Sequence, residues 1–465
     1  MQGKHWLVLI FILLVSAAGC RELNDPYYCD AHPEDPDCAR EPDKCGDTMC
    51  AAPNPVCDTA TTTCVECVKS SDCPSTRGIC SENTCVQCQA NGDCDSKLCL
   101  SDGICADPND VTYVAEVGSS SNAICALEMP CQTLTQAFQP TALRKYVKVT
   151  GIITDGATVD IVSKKAIIYG EPGAQLRRSP AETVLRIRGT SEVTIVDLDV
   201  QGNAAVGGKH CVEITDDAVV TMMGVNVHNH GQSGIALAMR AKLVMLDSQV
   251  HDNTMEGVIA TGGTLELRRS LIYKNQGVAG VSAMNSVKVT IDSSMIAANT
   301  GSSGGVSITG PFSIKNSIIS ANGSLTMTSS AGGLTLNPVN AANAEFEFNT
   351  VSDNLSASST TGINCSNVSF DVSNSIFTSV LATGNVVNNC NVKYSLTGLS
   401  GTATGTNKVG DPMFITKELL SPMFYRIGSM STARDSADPA ATLDVDIDNQ
   451  LRSDAQRDMG ADEFR

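Results

Sequence analysis

One short phrase repeats through the second half of the chain. It reads Val250-His251-Asp252-Asn253, then Ile272-Tyr273-Lys274-Asn275, Ile296-Ala297-Ala298-Asn299 and Ile319-Ser320-Ala321-Asn322. Asn203 precedes this run, Asn354 follows it, and His230 fills the vacant slot in Val227-His228-Asn229-His230. From Asn203 onward the steps are 27, 23, 22, 24, 23 and 32 residues. A repeat this short means stacked units, each too small to bury a core alone.

A second ladder runs beside the first. Gly234, Gly257, Gly280, Gly305, Gly333 and Gly362 recur at a similar step, lengthening toward the C-terminus. Aliphatic pairs follow the first four: Ile235/Leu237, Val258/Ala260, Val281/Ala283 and Val306/Ile308. Spacing of two is a strand signature. Short strands with no room for a helix predict a parallel β-coil, with Ile235, Val258, Val281 and Val306 in one column roughly 4.8 Å apart. Each Asn is expected to close a tight turn, where its side chain can bond neighbouring backbone and tolerate the left-handed region. On these residues the chain resembles the right-handed parallel β-helix proteins, an all-β solenoid, over residues 146–430. A β-sandwich or propeller competes, but propeller blades need units of about 40 to 50 residues.

The N-terminus reads as an export signal over residues 1–19. Lys4 is followed by ten apolar residues, Trp6 to Val15, too few to span a bilayer. Ser16-Ala17-Ala18-Gly19-Cys20 resembles the bacterial lipobox, which implies acylation of Cys20 (a palmitate-type anchor). Arg21 follows, and by that resemblance implies the outer membrane. Ordinary cleavage, with Cys20 a disulfide partner, is the other reading.

In the region over residues 20–110, 14 of the 20 cysteines lie between Cys29 and Cys105. Cys64-x2-Cys67-x5-Cys73 returns as Cys85-x2-Cys88-x5-Cys94. Such a stretch needs staples, and in an exported chain these read as disulfides; paired Cys-x2-Cys can also hold zinc. The region resembles the Cys-rich modules of large bacterial surface lipoproteins. From Arg21 to Asp110 there are 18 acidic and 6 basic residues, a net of −12 out of −18 for the chain. That charge argues against nucleic acid as a partner and for a solvated stalk.

An entrance segment is expected over 111–145. Cys125 and Cys131 are disulfide candidates, and Leu134, Ala137 and Phe138 share one face of a short capping helix, resembling the entrance helix of many β-helix proteins. A closing segment is expected over 431–465. There, Asp448-Asn449-Gln450-Leu451-Arg452 and Asp458-Met459-Gly460-Ala461-Asp462-Glu463 resemble the tail of the bacterial β-helix group called choice-of-anchor Q, which implies closure of the last coil. Asp444-x-Asp446-x-Asp448 opens like a calcium loop, but Asn449 and Ala455 stand where the EF-hand pattern wants Gly and Glu.

Many β-helix proteins are polysaccharide lyases or hydrolases, which need carboxylates or a base beside a groove. Asp197 and Asp199 form a candidate acid pair. The ladder aligns Asp197 with Gly224 and Asp247, and Asp199 with Asn226 and Gln249, so no carboxylate cluster accumulates. Arg269 follows Asp247 and can pair with it. Coils as short as those between Asn253 and Asn322 leave little room for groove-building loops. His228 should stack on His251, with Tyr273 beyond and His230 two residues away, a candidate transition-metal set opposed by a plain aromatic stack. Cys365 and Cys390, about one coil apart along the chain, are disulfide candidates between coils. Cys211 is the odd thiol, read as a small buried hydrophobe.

The expectation is therefore a lipid-anchored outer-membrane protein at the cell surface, presenting a rigid β-helix as a structural or binding module without a cofactor. Its expected contacts are the membrane, through the anchor, and a polysaccharide or envelope component. A polysaccharide lyase or glycoside hydrolase is the first alternative, a metal-binding surface protein the second.

Overall fold

The computed structural model describes residues 44–465, apart from 75–77, 122–123, 140–143, 179–181, 206, 327–330, 358–359, 382–384, 399–403 and 453–455. The expected signal segment, Cys20, Cys29 and Cys38 lie outside the described residues. The chain divides into two units, Met1–Ala106 and Asp107–Arg465.

The described part of the first unit is three small modules of four cysteines. The disulfides are Cys45–Cys57 with Cys50–Cys64, Cys67–Cys80 with Cys73–Cys85, and Cys88–Cys99 with Cys94–Cys105. Within each module the first cysteine pairs with the third and the second with the fourth. Antiparallel two-stranded ribbons, Val56–Asp58 with Thr63–Val65 and Ile79–Ser81 with Thr84–Val86, carry the first two. The Cys-x2-Cys phrases are the seams where one module hands over to the next. Stapling supplies what so few aliphatic residues cannot.

The second unit is a right-handed parallel β-helix built from three sheets of 10, 12 and 12 strands. One coil shows the pattern. Ile235–Leu237 lies in the first sheet, Lys242–Leu246 in the second and Gln249–His251 in the third. Each pairs in parallel with its equivalent one coil later: Ile235 with Val258, Lys242 with Thr264, Gln249 with Leu271. Val258 pairs on with Val281 and Val281 with Val306. All four members of that column are fully buried, so the hydrophobic core is a continuous cylinder filling.

The Asn ladder lies inside this cylinder. Asn253, Asn275, Asn299 and Asn322 are 0 % exposed. Each Oδ1 accepts the backbone N–H of the corresponding residue one coil earlier, as Asn299 does from Asn275 at 3.0 Å. Each Nδ2 donates to the next Oδ1, at 2.9 to 3.0 Å. The left-handed position belongs instead to the residue before it: Asp252, Lys274, Ala298, Ala321 and Asp353 have φ of 52 to 56°. The Asn side chains bond neighbouring backbone as expected, whereas the expected left-handed placement of the Asn is corrected. The preceding residue turns the chain, and the Asn points inward to satisfy the backbone the turn exposes.

A second polar ladder runs at the other corner, five residues earlier. Ser248, Ser270, Ser294 and Ser317 are buried, and each Oγ accepts a backbone N–H from the coil before, at 3.1 to 3.3 Å. Asn349, Ser375 and Ser395 continue it.

One end of the cylinder is covered by a single helical turn, Leu134–Ala137, capped reciprocally by Thr133 and Gln136. Buried Asp155 accepts from its first two N–H groups, at 3.0 and 3.3 Å. Cys125–Cys131 and Cys365–Cys390 are disulfides, and Cys211 is a buried free thiol.

The last paired strand is Lys408–Val409. The expected helix boundary at 430 falls inside an irregular segment that begins at 411, after the last paired strand. It lies on the outer wall of the third sheet: Gly460 N donates to Asn374 O, Ala461 N to Thr350 Oγ1, and Arg452 to Asn316 Oδ1. Arg452 and Glu463 form an ion pair with side chains 0 % and 2 % exposed, and the guanidinium lies 4.3 Å over the Phe348 ring. The reason is composition. Outward positions Ile318, Ile376 and Leu396 are apolar, and Ile427, Met459 and Ala461 bury them.

Candidate binding face

Each third-sheet strand buries its middle residue, from Leu176, Val200, Val227 and Val250 to Ile319 and Phe377, in the core. Its two flanking residues therefore face out. They form two columns whose character changes along the axis. The first reads Gln175, Asp199, Asn226, Gln249, then Leu271, Met295, Ile318. The second reads Thr154, Arg177, Gln201, His228, His251, Tyr273, then Ala297. The apolar end is sealed by the C-terminal segment. The polar end is the candidate site.

His228, His251 and Tyr273 stack, with ring centroids 5.0 and 4.6 Å apart. His228 Nε2 lies 2.7 Å from Asp199 Oδ1, and His251 Nδ1 lies 2.7 Å from Asp252 Oδ2. Burial opposes the charge on Asp199, but hydrogen bonds from His228 and Gln175 hold its carboxyl below the ordinary value. Burial, reinforced by neighbouring His228, pushes the His251 imidazole down. The rings thus present edges, braced by carboxylates.

His230 takes no part in this stack. It occupies the Asn slot inside the coil, 0 % exposed, with its N–H accepted by Asn253 and its Nε2 2.7 Å from Lys209 O. A Cβ on Gly202 would sit 2.3 Å from its Nδ1, so the imidazole requires glycine there. The ring nitrogens of His228, His230 and His251 do not converge, and no group of metal-ligating atoms among the described residues includes them. The geometric reason is that residues 228 and 230 flank a corner, one turned out and one turned in.

The remaining candidates also separate. Asp197 is not on the strand: it takes the left-handed corner (φ 52°) and is exposed, whereas Asp199 begins the strand. Asp247 and Arg269 make a two-point ion pair at 2.8 Å on the surface. Asp446, Asp448 and Asp462 cluster, but Arg426 pairs with two of them. Its guanidinium makes two bonds to Asp448, at 2.9 and 2.7 Å, and lies 3.5 Å from Asp462.

Beside the polar columns lies a cavity of about 520 Å³, lined by Thr154, Arg177, Arg178, Gln201, Asn203 and Asn229 among others. Arg178 is fixed by Thr158 and by Thr183 O at 2.7 Å. Three adjacent polar atoms, Gln201 Oε1, Asn226 Oδ1 and His228 Nδ1, are screened from solvent and have no hydrogen-bond partner. Unpaired buried polar atoms are uncommon. The arginines and Gln201 were not singled out by the sequence. Their signal was Gln175-Leu176-Arg177 and Asp199-Val200-Gln201, polar on both sides of the buried residue.

Residues 183–337 match the family model described as a right handed beta helix region. No curated protein matches the chain. Among solved structures, the crystal structure of the pectate lyase Pel9A is similar, with a TM-score of 0.50 and 15 % identity, covering 76 % of this chain and 96 % of that one. At this identity the likeness is one of fold. The chain is an all-β, right-handed parallel β-helix preceded by a disulfide-rich region.

Proposed function

We propose that this protein is a binding module displayed at the cell surface, held at the outer membrane by a lipid on Cys20. The β-helix offers its uncovered polar columns to a hydroxyl-rich polymer, a glycan of the envelope or its surroundings. One observation carries the reading. The chain's own C-terminus covers the outer wall of the third sheet around Ile318, Ile376 and Leu396, and leaves Arg177 and Gln201, which line a cavity, at least partly exposed. Arginine, amide and imidazole edges at coil spacing suit an extended ligand lying along the axis. The lipobox-like Ser16–Cys20 stretch supports the anchor, the net charge of −18 argues against polyanions such as nucleic acid, and the choice-of-anchor Q likeness of the tail fits an envelope protein. Affinity electrophoresis against neutral and acidic polysaccharides tests it: at least one should retard the wild type and not Arg177→Ala/Gln201→Ala. Equal retardation of both proteins, or none of either, would overturn it.

A polysaccharide lyase is the second reading. The His228–Asp199 contact, which fixes an imidazole at the edge of the open wall, favours it, as does the fold likeness to a pectate lyase. It predicts release of unsaturated uronate products that stops in His228→Ala. Persistent absence of product across acidic polysaccharides would leave binding as the role.

A further inference from the structure

A cleft lies at the opposite end of the same wall, where the C-terminal segment meets the last coils. Its volume is about 760 Å³, within the usual range for small-molecule sites. Asp353, from the left-handed corner that ends the longest Asn step, is 9 % exposed. Its Oδ2 accepts from the Tyr425 hydroxyl at 2.7 Å and pairs with Lys417 Nζ at 2.6 Å. Burial and this carboxylate drive the Tyr425 phenol well above its ordinary value, so it stays a donor. Phe414 forms an aromatic wall, edge-on to Tyr425 at 4.8 Å, with Lys417 5.8 Å from both ring centres. Thr378, Ser379 and Gly398 are among the other lining residues.

We propose that this cleft is a second binding site, for the terminal ring of a neutral sugar. A ring with several hydroxyls needs an acceptor, donors and an apolar plate at once. Asp353, the Lys417 ammonium with Ser379, and Phe414 are those groups. Lys417 already balances Asp353, so a charged sugar gains nothing there and must be desolvated. The site does not depend on the polar columns, which lie several coils away.

Saturation-transfer NMR and calorimetry on the intact protein, with methyl glucoside, galactoside and mannoside as probes and glucuronate as the charged control, test this. At least one methyl hexoside should bind, with affinity at least tenfold lower in Asp353→Asn and in Phe414→Ala. Because those changes touch packed groups, Ser379→Trp, which fills the cleft from its lining, must abolish binding with the melting temperature unchanged. Arg177→Ala/Gln201→Ala should leave hexoside binding intact, which separates failure here from failure at the polar columns. Binding of glucuronate in preference to every hexoside, hexoside binding that survives Ser379→Trp, or no hexoside binding at all would each overturn the assignment.

Discussion

Asn275→Ala cuts the ladder in the middle of the cylinder, and its cost can be worked from named bonds. Asn275 Oδ1 accepts from Asn253 N at 3.2 Å and from Asn253 Nδ2 at 2.9 Å; its own Nδ2 donates to Val250 O and Asn299 Oδ1, both at 3.0 Å, and to Tyr273 O at 3.1 Å. Alanine removes all five. Asn253 N loses its side-chain acceptor, and Asn253 Nδ2 keeps only a 3.5 Å contact with Val227 O. Each buried group left unpaired costs about 1–3 kcal/mol. Two such donors make the expected loss about 4 kcal/mol, before any cavity term. Asn388→Ala is the control: its amide bonds Asn364 at 2.9 Å on the exposed surface, and should cost within about 0.5 kcal/mol. Solenoids open locally, so native-state hydrogen exchange is the assay. Protection should fall most at Asn253 and Asn275 and less in distant coils. A loss below about 1 kcal/mol, or one equal to the control, would refute the view that the ladder holds the corners.

Three further outcomes follow from the same geometry. Arg452→Met removes the guanidinium that balances buried Glu463, a loss of about 3–5 kcal/mol; the C-terminal segment should loosen, and dye binding to Ile318 and Ile376 should rise, whereas an unchanged melting curve without dye binding contradicts the sealing role. Burial raises the Asp462 carboxyl to about 6. A raised carboxyl favours the fold when protonated, so its contribution is full below the ordinary carboxylate range and is lost as pH rises through about 6. Asp462→Asn should therefore flatten melting temperature against pH between about 4 and 6, and an unaltered profile speaks against it. Gly202→Ala pushes a methyl group into the His230 ring, and should destabilise by about 1–3 kcal/mol; no change in thermal unfolding would show that the loop yields freely.

The coil architecture was legible because it is written in repeats. The Gly234–Gly257–Gly280 steps gave strand register, and the columns through Ile235 and through His228, His251 and Tyr273 pair in that register. The inward turn of Asn253 and its equivalents was not legible, since an Asn beside a corner can either take the left-handed position or satisfy its neighbours. The serine ladder was present in the text, five residues before Asn253, Asn275, Asn299 and Asn322, but serine is too common to stand out. The C-terminal course was least legible. The outward apolar residues Ile318 and Ile376 announced a cover without naming what supplied it, because that contact joins residues up to 136 positions apart. The candidate site was half visible: the histidines were found by type, whereas Arg177 and Gln201 gain meaning only beside the cavity.

The most direct measurement is hydrogen exchange on the intact protein with and without a polysaccharide that retards it. The account predicts added protection in the third-sheet strands Asp199–Gln201, Asn226–His228 and Gln249–His251. Protection that leaves those three strands untouched would contradict it.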